Sequence, residues 1–152
     1  MPLSKVRSRH CGAGTVLRNF AEIVALGQGE TLMAEWFVAK AAELSDGDRR
    51  IVTAGPHEIG VFFKDGGFYA YSNYCLHAGG PACEGLLING VVDLIAADRT
   101  YHGQSFSDEM HFVCPWHGYE YELKTGECVG DRRLRLRKYE VVQRGEDIFV
   151  VA

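Results

Sequence analysis

Two short segments carry residue types that bind metal. The first reads Asn73-Tyr74-Cys75-Leu76-His77-Ala78-Gly79-Gly80-Pro81 and the second Cys114-Pro115-Trp116-His117-Gly118-Tyr119. Each offers one thiolate and one imidazole donor, as C-x-H and C-x-x-H, with 36 residues between His77 and Cys114. A mixed-ligand [2Fe-2S] centre needs this inventory: two thiolates on one iron and two imidazoles on the other. The same four donors would also suit a structural zinc ion. Zinc sites, however, pair like ligands, as C-x₂₋₄-C and H-x₃₋₅-H, whereas each pair here mixes Cys with His. Gly and Pro flank both pairs and place them on loops. There, backbone N–H groups turn toward an anionic centre and help hold its charge.

The elements that must position these loops read as short strands. Trp36–Val38 begins one, and Arg50–Val52 follows the turn DGD at 46–48. Ile59–Phe63 and Phe68–Tyr71 flank KDGG as a hairpin. Phe112–Val113 leads into the second ligand loop, and Tyr119–Leu123 leaves it toward the turn KTGE. Arg135–Val142 and Ile148–Val151 flank RGED as a last hairpin. In the basic run RRLRLRK at 132–138, a strand places Leu134 and Leu136 inward and Arg135 and Arg137 toward water. Helix is expected only near ELSDG and over Val16–Leu26. Many short strands with turns every 8–12 residues indicate an all-β sandwich or small barrel.

At 152 residues the chain has the length of one domain, and its composition is that of a soluble globular protein, 47% hydrophobic and 24% charged. No run of 18 apolar residues exists to span a membrane, and a net charge of −4 does not suit nucleic acid. The charge is uneven. Residues 1–21 hold four basic side chains and no acid; the other 131 hold 12 basic and 20 acidic, a balance of −8. Residues 1–32 read as a poorly ordered or partly helical extension, with the folded domain over 33–152. An odd count of five cysteines, without a secretory signal, argues against a disulfide framework and for a reducing, cytoplasmic compartment. His111, three residues before Cys114, is set apart by the intervening strand. His57 and His102 are not expected as ligands. Cys128 reads as a small apolar residue.

The paired motif CLH…CPWHG resembles that of the Rieske iron–sulfur family. GFYAYSNYCLHAGGPACEG, CPWHGYEYELKTGE, RLRLRKYEVV and EDIFVV extend the likeness over residues 33–152. The resemblance implies an all-β fold of stacked antiparallel sheets with a two-loop cluster-binding tip. It implies one [2Fe-2S] cluster per chain, with Cys75 and Cys114 on a buried iron and His77 and His117 on an outer, exposed one. Trp116 and Pro81 are expected to cover the cluster from solvent. High-potential members carry a disulfide between the two loops; Gly80 and Trp116 stand at those positions, so that bridge cannot form. Tyr121 matches a tyrosine whose hydroxyl reaches a cluster sulfur.

Within the family the chain resembles the soluble ferredoxins of aromatic-ring oxygenase systems. This implies a one-electron carrier between a flavoprotein reductase and a terminal Rieske oxygenase. The alternative is the small Rieske subunit of an NAD(P)H-dependent nitrite reductase-like complex. The 36-residue separation of the ligand pairs exceeds that of such ferredoxins, with the surplus at about residues 90–111. It reads as a longer hairpin or as a partner-docking element.

Overall fold

A computed structural model describes residues 33–152. The expected helix at 16–26 and the extension 1–32 lie outside the described residues. Two antiparallel sheets make up the fold. The first contains β1 (Glu35–Lys40), β2 (Arg49–Ala54), β3 (His57–Lys64), β4 (Gly67–Ser72), β10 (Lys138–Arg144) and β11 (Asp147–Val151), in the order β1-β11-β10-β4-β3-β2. It curls until its edge strands β1 and β2 meet. The second contains β5 (Leu87–Ile95), β6 (Tyr101–Val113), β7 (Glu120–Glu122), β8 (Glu127–Cys128) and β9 (Asp131–Arg135), in chain order.

Period-two alternation assigns each strand face to one of two cores. On β3 and β4, Ile59, Val61 and Ala70 face a core shared with Tyr139 and Val150. Phe62 and Tyr71 face the opposite way, into a core with Phe112, Tyr121, Leu123 and Leu136. Phe112 lies at the centre of the second core. Its ring stands 4.9 Å from Phe62, 5.5 Å from Tyr71 and 5.5 Å from Tyr121. This aromatic column joins the first sheet to the second directly beneath Cys75 and Cys114, which belong to the same core.

The KDGG hairpin forms as expected. Lys64 pairs with Gly67 across Asp65 and Gly66, both at positive φ (51° and 73°), the backbone a two-residue turn requires. Two expectations fail. The segment 135–142 is not one strand: β9 ends at Arg135, β10 begins at Lys138, and they belong to different sheets. At the break Leu136 is buried while Leu134 is 44% exposed, so only one of the two leucines faces inward. The crossing between sheets interrupts the alternation that a single strand would impose. Near ELSDG there is only a 3₁₀ turn, Ala41–Glu43, followed by a turn in which Asp48 accepts from the Ser45 N–H.

Candidate metal centre

Cys75 and His77 lie on the loop between β4 and β5, and Cys114 and His117 on the loop between β6 and β7. The two loops have the same backbone design. The Cys75 N–H donates to the Gly80 carbonyl at 2.8 Å, and the Cys75 carbonyl accepts from Gly79 at 2.9 Å. Likewise the Cys114 N–H donates to the Tyr119 carbonyl at 2.8 Å, and its carbonyl accepts from Gly118 at 3.0 Å. Gly79 and Gly118, each four residues after its cysteine, both sit at φ 70°. That left-handed conformation favours glycine and closes each loop back on its cysteine.

The four donors meet as two pairs. Cys75 and Cys114 are buried side chains of the same core. The exposed His77 and His117 have ring centroids 4.7 Å apart, in an edge-to-face arrangement. A single tetrahedral ion needs its donors around one point. Among the described residues no three His, Cys, Asp or Glu side chains converge that way. Two thiols below and two imidazoles above instead fit a binuclear centre with unlike irons.

Burial works against the thiolate at Cys75. Hydrogen bonds from the Tyr121 hydroxyl and from the backbone N–H groups of His77 and Ala78 outweigh it and hold the thiol below its ordinary pKa. At Cys114 burial wins, aided by the neighbouring Cys75, and the thiol is pushed up despite N–H groups from Trp116 and His117. A metal centre that bound both sulfurs would be surrounded by these N–H donors.

Tyr121, fully buried on β7, connects the core to the site. Its hydroxyl lies 3.2 Å from Cys75 Sγ and accepts from the Leu76 N–H at 3.1 Å. The contact expected from the sequence is thus present. Tyr119 has a role the sequence did not disclose: its ring stacks on His77 at 4.5 Å and 3°. Asn73 anchors the first loop. Its amide donates to Glu58 and Glu84, and its carbonyl accepts from the Cys83 N–H. Trp116 is 60% exposed and lies on Gly80, so it covers the loop backbone and not an enclosed site. His111 is buried on β6, where it meets Glu120 at 3.0 Å and Glu109 at 3.4 Å and so is engaged away from the thiols. Cys83 and Cys128 are free and buried. No helix among the described residues is long and apolar enough to cross a membrane.

Comparison with known proteins agrees with this geometry. The Rieske [2Fe-2S] domain family matches residues 34–140, and the chain belongs to that family, whose cofactor is a [2Fe-2S] cluster. It is 31% identical over 117 residues to the cytochrome b6-f complex iron-sulfur subunit of Chlorobaculum thiosulfatiphilum, covering 76% of this chain but 52% of the relative. The chain thus spans about half of that relative's length. It is 28% identical over 119 residues to the 3-phenylpropionate/cinnamic acid dioxygenase ferredoxin subunit of Photorhabdus laumondii, covering 78% and 94%. Among solved structures, the ferredoxin of carbazole 1,9a-dioxygenase from Nocardioides aromaticivorans is 26% identical with a TM-score of 0.54, covering 76% and 95%. A nitrite reductase NADPH small subunit, 17% identical with a TM-score of 0.56 over 78% and 98%, shares the fold.

Proposed function

We propose that this chain is a one-electron carrier that takes electrons from a flavoprotein reductase and delivers them to a terminal Rieske oxygenase. Cys75 and Cys114 hold one iron of the [2Fe-2S] cluster and His77 and His117 the other. The cluster takes up and releases a single electron without bond-making chemistry. The observation that carries this reading is the layering of the site, with buried thiols under two exposed imidazoles at the tip of the second sheet. Exposed imidazoles give a short path from the outer iron to a docked protein. Hydrogen bonds to the sulfurs fix the charge state and potential. The dioxygenase ferredoxins, whose length the chain nearly spans, support the carrier reading. The nitrite reductase reading has likeness of fold alone. The free thiols fit a reducing, cytoplasmic compartment.

The test is reconstitution. The cluster-loaded chain, a flavoprotein reductase with NADH, and a terminal Rieske oxygenase should together turn over aromatic substrate, and omission of the chain should stop turnover. Reduction of the chain only in the presence of a sirohaem protein complex would favour the nitrite reductase reading.

A further inference from the structure

The segment that lengthens the separation of the ligand pairs is a two-stranded ribbon, the outer parts of β5 and β6 joined through residues 96–100. Its cross-strand pairs are apolar and bare. Val91 opposes Phe106 and Ile95 opposes Tyr101. With Val92 and Leu94 these side chains are 44–73% exposed. By strand alternation Val91, Phe106, Ile95 and Tyr101 share one face, and a cluster of bare apolar side chains on one face marks an interaction surface. The ribbon also borders the site. Val91, Leu134 and Tyr119 line a groove of about 610 Å³ that has His117 in its wall.

Charge selects the occupant. Beyond Gly90 the ribbon carries Asp93, Asp98, Asp108 and Glu109 against Arg99. Glu109 is paired with Arg132, whereas the three aspartates have no ion-pair partner among the described residues. Asp93 accepts only from Gln104, and Asp98 from the Thr100 N–H. In the groove wall Glu120 is bonded to His111 and Asp131 to Arg133. An acidic apolar ribbon repels a second copy of itself and an anionic membrane surface. It complements an apolar patch fringed by Lys and Arg.

We propose that the β5–β6 ribbon, with the groove beside His117, is the docking surface for a redox acceptor protein of that chemistry. The proposal rests on the carrier reading and adds to the exposed imidazoles a separate element that selects the partner. An acceptor seated on Val91 and Phe106 would lie against His117, where the electron leaves.

Cytochrome c serves as the probe, because its haem edge is an apolar patch ringed by lysines. The cluster-loaded chain is reduced with dithionite and freed of excess. One electron then passes from the reduced cluster to ferric haem, followed by stopped flow at several salt concentrations, with ferricyanide as a small acceptor that needs no docking. D93N/D108N and F106S/I95S should each slow transfer to cytochrome c at least about threefold at low salt. D93N/D108N should also flatten the salt dependence. Calorimetry should show weaker binding of cytochrome c by both variants, and ferricyanide rates should be unchanged. Wild-type rates and affinities in both variants would overturn the ribbon proposal, as would loss of a wild-type dimer in F106S/I95S on sedimentation. Failure of the wild-type chain to take up a cluster or to reduce ferricyanide would instead overturn the carrier reading.

Discussion

Gly80 lies flat beneath the indole of Trp116: a Cβ at Gly80 would stand 2.6 Å from Trp116 Cδ2. These are the positions at which the family resemblance implies a disulfide in high-potential members. Here glycine and indole join the two loops through packing alone. Gly80→Ala should therefore push the loops apart and destabilise the fold by about 1–3 kcal/mol, the usual cost of overpacking. Urea unfolding checks this, and Trp116→Ala added to Gly80→Ala should recover part of the loss.

Tyr121 lends its hydroxyl to Cys75 Sγ and to the Leu76 N–H at once. A donor to a cluster sulfur favours the reduced, more negative state and raises the potential. Tyr121→Phe should lower the midpoint by some tens of millivolts, since about 1 kcal/mol per hydrogen bond corresponds to about 40 mV for one electron. Protein-film voltammetry of the two proteins decides it; an unchanged midpoint would remove the hydroxyl from the account.

Tyr119 stacks on His77 face to face. Tyr119→Leu keeps bulk but loses the flat contact, worth about 0.5–1.5 kcal/mol for aromatic pairs. The His77 ring should become more mobile and the cluster should bleach faster in air than in wild type. Visible absorption over time measures this, and Tyr119→Phe should behave as wild type.

Burial pushes the Cys83 thiol up to about 12. Between the ordinary thiol value and that pH the unfolded chain loses the proton that the folded chain keeps. The unfolded state then binds fewer protons, so stability falls as pH rises, by about 1.4 kcal/mol per unit. Denaturation at pH 8, 9.5 and 10.5 should show a steeper decline for wild type than for Cys83→Ala. Parallel curves would mean that Cys83 ionises as readily in the fold as outside it.

Much of this site was legible because its donors are local in sequence. Cys75 with His77 and Cys114 with His117 are each set by one loop, and KDGG announced its hairpin. The glycines four residues after each cysteine were visible too, but their shared role appears only when both loops are seen at φ 70°. The stacking of Tyr119 on His77 joins residues from two loops, and no period in the chain encodes it. Leu134 misled because strand alternation assumes one continuous strand, and the chain changes sheets at Leu136 and Arg137. The ribbon at 90–111 was legible as an excess of length. Its bare Val91–Phe106 pair and its place beside His117 depend on the register of β5 against β6.

The central claim is that His77 and His117 bind the same iron of a [2Fe-2S] cluster whose other iron is held by Cys75 and Cys114. Pulsed EPR on the reduced protein, labelled with ¹⁵N in histidine only, tests this directly. Two strong nitrogen couplings are predicted in wild type, with one lost in His77→Cys and the other in His117→Cys. A spectrum without histidine nitrogen coupling, or one that keeps both couplings in either variant, would contradict the ligand set.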